Sequence, residues 1–114
     1  MSEEPEINIF ACLDFLRDNA KLYAKAKADR IYLEEYRKAK KAILMQQAEL
    51  GGCKTSANQE RDAYAHPEYV ELLKGLQEAV EREESLRWLI VSAQAKVEVW
   101  RTLSASQRYE ASKI

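Results

Sequence analysis

The sequence is poor in the residues that interrupt helices and in those that build metal sites. Among 114 residues there are three Gly, two Pro, two Cys and one His. The strict apolar–polar alternation of strands is nearly absent, which removes sheet architectures from consideration. With one His, and with Cys12 and Cys53 far apart in the sequence, the soft ligands do not make a closed tetrahedral metal site, so neither metal nor cofactor is expected. The longest apolar run, WLIVSA at residues 88–93, is far short of the roughly 18 residues of a membrane span. The opening Met1-Ser2-Glu3-Glu4 is acidic where a secretory leader would be basic and then apolar, so the expected compartment is a cytoplasm.

Catalytic signatures are missing as well. There is no phosphate loop and no nucleophile elbow. The doublets Glu34-Glu35 and Glu83-Glu84 project about 100° apart on a helix and do not form a working carboxylate pair. The expectation is a protein that is not an enzyme.

What remains is rich in Ala, Glu, Lys, Leu, Arg and Gln, the composition of long helices. A first helix is expected from about Pro5 to residue 50, because proline suits the first turn and Glu3, Glu4 and Glu6 complement the helix dipole. Gly51-Gly52 stops it, since glycine takes the left-handed capping conformation without strain. Ser56 followed by Gln59 has capping-box spacing and predicts a short helix over 56–64. His66-Pro67 reads as a joint, with Pro67 opening a third helix that runs to about Arg108 and leaves 109–114 as a flexible tail. The short Gly-led connection folds the two long helices back antiparallel. The fold class is therefore all-α: one helical-hairpin domain over 1–114. His66 is the lone candidate for acid–base work, but Glu68 and Asp62 beside it already have capping and dipole roles, which favours a cap over a site. A disulfide between Cys12, near the open end, and Cys53, at the turn, is excluded by distance.

Two apolar series run along each long helix. Ile9, Ala20, Ile31 and Ala42 recur every eleven residues, as do Ala11, Leu22, Leu33 and Leu44 on the opposite side. Three turns at 3.67 residues each predict straight or slightly right-handed packing. In the third helix, Leu86, Leu89, Ile90, Ala93, Val97 and Trp100 oppose Trp88, Val91, Ala95 and Val99. A helix apolar on two sides is buried on two sides. Nine residues of short helix cannot cover a rod of roughly 65 Å at 1.5 Å per residue. Self-association into a dimeric or higher bundle is therefore expected, with Phe15, Leu22, Leu33, Leu44, Trp88, Val91 and Val99 at the interface.

The net charge of −1 conceals a division. Residues 21–41 carry eight bases and three acids, whereas 60–84 carry eight acids and three bases. Lys21, Lys25, Arg30, Arg37, Lys40 and Lys41, interleaved with Tyr32 and Tyr36, have the residue types that hold phosphates and stack on the bases of a single strand. The competing reading is electrostatic matching inside the hairpin, favoured because the bases surround the helix instead of forming one patch.

The stretches RIYLEEYRKAKKA, KTSANQERDAYAHPEY and LRWLIVSAQAKVEVWR resemble, over about residues 13–108, a group of small, largely uncharacterised helical proteins of tailed bacteriophages and prophages. The resemblance implies an early-region protein in the host bacterial cytoplasm. It would act by contact with itself and with a phage or host protein, in DNA recombination or replication or in interference with a host system. The alternative function is a single-strand-binding cofactor using residues 21–41.

Overall fold

A computed structural model describes residues 6–113. Three helices occupy 91% of them, and no strand occurs among them. They are α1 (Ile9–Leu50), α2 (Ser56–Ala65) and α3 (Pro67–Ser112). The chain divides into two compact units: Met1–Ala24 with Glu84–Ile114 (unit 1), and Lys25–Glu83 (unit 2). In each, a segment of α1 packs against a segment of α3, and in unit 2 the short α2 lies between them in the chain. This is the all-α hairpin that the glycine pair and proline predict.

The helix ends are set by local chemistry. The start expected at Pro5 lies outside the described residues. Residues 6–8 are not helical, and Asn8 opens α1 by accepting the Ala11 N–H on Oδ1 at 3.0 Å. At the other end of α1, the Cys53 N–H donates to Ala48 O at 3.0 Å and the Gly52 N–H to Glu49 O at 3.1 Å, with Gly52 at φ 105°. This is the Schellman arrangement, which needs one left-handed residue. The cap of α2 is Thr55 and not Ser56: its Oγ1 accepts the Asn58 N–H at 3.2 Å. Ser56 is already the first helical residue, and Gln59 is used differently from a capping box: its Nε2 donates to Cys53 O at 3.0 Å. Pro67 begins α3 as expected. The tail expected at 109–114 is instead helical to Ser112. Nothing in that stretch is a helix breaker, and Ser112 Oγ donates to Tyr109 O at 2.7 Å.

In unit 2 the less exposed positions of α1 are Ala26, Arg30, Leu33, Arg37, Lys40 and Leu44 with Asp29, Glu34, Lys41, Met45 and Ala48 beside them, and those of α3 are Tyr69, Leu72, Leu76, Ala79 and Glu83 with Gly75 beside them. In unit 1 they include Leu16, Asn19 and Tyr23 on α1 and Leu86, Ile90, Ala93 and Val97 on α3. Both seams step by threes and fours, the spacing that keeps one side of each helix against its neighbour. Within one eleven-residue series exposure is uneven: Leu22 is 54% exposed while Leu44 is 2%. Such a series misleads because Ala counts as apolar wherever it lies, while the seam itself admits arginine, lysine and glutamate.

Unit 2 has a defined core. Leu44, Ala63 and Tyr69 are buried together with Met45 against them, and Tyr64 meets Tyr69 edge-on at 5.3 Å. Thus α2 contributes Ala63 and Tyr64 as a lid on this end of the hairpin. Leu44→Ala should lower unfolding free energy by about 2–5 kcal/mol. Leu50→Ala, at a side chain 83% exposed, should stay within about 0.5 kcal/mol. Urea melts of both variants check the pair, and equal losses would contradict the core assigned here.

Candidate functional site

The acidic and basic stretches meet inside unit 2. Arg30 sits in the α1 seam and grips Glu83 of α3 with two donors: its Nε bonds one carboxylate oxygen, and a terminal nitrogen reaches the other at 3.0 Å. The second terminal nitrogen holds Glu34 at 3.0 Å. Glu83 is 6% exposed and is the one buried charged residue among those described. A two-pronged guanidinium–carboxylate contact is the geometry that makes such burial tolerable. Lys40 pairs with Glu68 and Lys41 with Glu60, each at 2.8 Å. Lys41 also lies 4.7 Å over the Tyr64 ring.

These contacts move the titrations in one direction. Arg30 is held more firmly protonated by its bond to Glu83, against the cost of desolvation and with further help from Glu34. Lys40 and Lys41 are raised by their bonds to Glu68 and Glu60. Glu60 and Glu68 are correspondingly held below the usual carboxylate range. All three ion pairs link elements distant in sequence, and all answer the charge division between 21–41 and 60–84 as internal matching.

The eight nucleic-acid candidates therefore have mixed surroundings. Arg30, Lys40 and Lys41 are occupied by acids, and Lys25 is 3.4 Å from Asp29. Arg37 is half-buried, and Lys21 is exposed in unit 1. Tyr32 and Tyr36 stack in parallel, with centroids 5.9 Å apart. Tyr32 is 66% exposed, so a stacking surface exists, but most of the bases around it already have counter-charges.

The expected interface residues separate into two sets. Leu44 is in the unit 2 core and unavailable to a partner, and Leu33 is half-buried in the seam. Leu22, Trp88, Val91 and Val99 face outward, and Trp88 is 58% exposed beneath the Arg87 guanidinium. Phe15 is half-buried and lines a groove in unit 1 with Ala11, Cys12, Leu89, Ser92, Ala93 and Lys96. Sequence reasoning missed Glu83 as the anchor of unit 2. The signal was there: a glutamate at a seam position four residues after Ala79 and three before Leu86. Among the described residues no three His, Cys, Asp or Glu side chains are grouped to hold a metal ion, and Cys12 and Cys53 are free thiols.

The joint is built as a joint. The His66 N–H closes α2 onto Ala63 O at 3.2 Å, while His66 Nδ1 accepts the Glu68 N–H at 3.1 Å and opens α3. Gly51 and Gly52 end α1, and Pro67 needs no N–H partner at its first-turn position. His66→Ala should cost about 0.5–2 kcal/mol through loss of that cap and leave partner binding unchanged. Melting and binding measured on one preparation test both halves, and lost binding with unaltered melting would make His66 a site.

Acid should also weaken unit 2. Carboxylates with depressed folded-state values add stability that is complete above the ordinary glutamate value of about 4.3 and is lost as pH falls through the folded value. The melting temperature should hold level from neutrality to about pH 5 and then fall. The Lys40→Gln, Lys41→Gln double variant should show a shallower acid decline; an identical acid limb would show these pairs to be idle. Compared with known proteins, the chain matches no family model, no curated protein and no solved structure.

Proposed function

We propose that this chain is a non-catalytic helical interaction protein, working through contact with a second copy of itself and with one further protein. The observation that carries the reading is the number of large apolar side chains turned outward on a structure whose concavities are shallow and open. Phe10 is 74% exposed, Trp88 58%, Leu22 54% and Leu103 51%. Apolar exposure on this scale marks surfaces that other proteins cover. Chemistry, by contrast, usually occupies a concave pocket that buries its substrate.

The setting proposed from the sequence resemblance is bacteriophage DNA recombination or replication, or interference with a host system, in the host cytoplasm. The internal pairing of Arg30, Lys40 and Lys41 favours a protein partner over single-stranded nucleic acid, because phosphate binding would first have to strip away Glu83, Glu68 and Glu60. The two readings separate on salt. Phosphate contacts lose affinity steeply with ionic strength through counterion release, whereas apolar helix-in-groove contacts lose little. Affinity capture from phage-infected cells, with and without nuclease and at two salt concentrations, should retain a protein partner under every condition. Recovery of nucleic acid alone, or loss of every partner on nuclease treatment, refutes the proposal.

A further inference from the structure

Gly75 is out of place in α3. Glycine is the poorest helix former after proline, yet Gly75 lies well inside a helix of 46 residues. Beyond its own turn of helix, no described atom lies within 4 Å of the place a Cβ would take. Alanine would therefore fit here and strengthen the helix, so the packing inside the protein does not call for glycine. What glycine leaves is an open floor over which another backbone can come close.

That floor is the middle of a groove in unit 2. Two open concavities between α1 and α3 share Gly75: one reaches Tyr36 and Glu71, the other Tyr32 and Glu78. Glu71, Gly75 and Glu78 follow at steps of four and three, so they lie on one side of α3. Tyr32 and Tyr36, stacked on each other, line the α1 wall, and Tyr32 is 66% exposed. Each end of the groove thus sets a tyrosine ring opposite a carboxylate. Elsewhere in unit 2 the protein shows what such a combination holds: Lys41 lies 4.7 Å over the Tyr64 ring and 2.8 Å from Glu60. In the groove the outer acids already have bases, Lys25 for Asp29 and Lys40 for Glu68. Glu71 and Glu78, the two that flank Gly75, have no ion pair among the described residues. The one lining base without an acid, Arg82, stands at the Tyr32 end.

Resting on the reading of this chain as an interaction protein, we propose that the groove over Gly75 binds a basic peptide segment of the partner, one cation lodging at Tyr36 and Glu71 and a second at Tyr32 and Glu78. Charge selects this occupant, since the two carboxylates beside Gly75 attract a cationic segment and repel a phosphate backbone. Arginine suits the site better than lysine, because its flat guanidinium stacks on a ring while its N–H groups donate to a carboxylate. Spacing selects the conformation. The tyrosines are four residues apart on α1, about 6 Å along the axis, and the glutamates seven apart on α3, about 10 Å. Alternate residues of an extended strand stand about 7 Å apart on one side, between those two values. Two arginines separated by one residue therefore reach both ends, and the backbone between them passes over Gly75.

The probe is a fluorescein-labelled peptide of alternating arginine and serine, titrated into the full chain and read by anisotropy. The wild-type protein should bind it and should ignore the same peptide with glutamate in place of arginine. The Glu71→Gln, Glu78→Gln double variant and the Tyr32→Leu, Tyr36→Leu double variant should each lose about five- to tenfold in affinity. Glu81→Gln removes an exposed charge of α3 outside the groove and should change affinity by less than about twofold. Gly75→Ala separates the site from the scaffold: it should raise the melting temperature through better helix propensity and weaken the peptide several-fold. A wild-type protein that ignores the arginine peptide overturns the proposal. So does a Glu81→Gln loss as large as that of the groove pair, or a Gly75→Ala variant that binds unchanged. In the affinity capture above, a retained protein that Gly75→Leu fails to release overturns the groove and leaves the wider reading standing. An empty capture by a chain that binds the peptide as expected sinks the wider reading alone.

Discussion

A buried carboxylate fixes the packing of unit 2. Glu83 lies in the α3 seam, where an unpaired negative charge would be costly, and Arg30 is the group that makes its position tenable. Fourteen residues further along α1, Leu44 joins Tyr69, itself fourteen residues back along α3 from Glu83. The same offset holds at both places, so one antiparallel register runs through the unit. Sliding one helix by a heptad would take Arg30 away from its two-pronged partner and set it against an apolar seam position, although in one direction the slip would offer Glu83 Arg37 instead. A seam of leucines alone would tolerate such slippage, because one apolar layer resembles the next. Here the ion pair gives specificity, in the way a single polar seam position does in coiled coils.

Around that register the remaining charges fall into place. Lys40 with Glu68 and Lys41 with Glu60 are partly exposed, so each adds little stability alone. Their value lies in using up the basic stretch of α1. A surface that looks cationic in sequence is partly self-neutralised when folded, and Leu22, Ile31, Tyr32 and Tyr36 stand outward among the remaining lysines. That partial neutralisation is what moves the functional reading from nucleic acid toward protein contact. It also separates the two units in kind. Unit 2 is stapled by ion pairs and lidded by α2, whereas unit 1 is left with its large side chains in solvent.

The sequence by itself determined the number of helices, their order and their joints. Gly51-Gly52 ends α1 and Pro67 opens α3 because conformational freedom in one case and a missing N–H in the other are properties of single residues, legible without any neighbour. The charge division between 21–41 and 60–84 was legible for a similar reason: once the chain turns at the glycines, the two stretches must run alongside. Exact caps were less legible, since Thr55 and Ser56 are equally good acceptors and the geometry of the turn chose between them. Only the tertiary structure decided which side of each helix faces inward. Alanines and tyrosines on every side gave several apolar series of nearly equal strength, and the true seam is partly made of Arg30, Arg37, Lys40 and Glu83, which a hydrophobic pattern scores as surface. A charged residue becomes a seam residue through the partner opposite it, and that partner lies on another helix, beyond the reach of any local period.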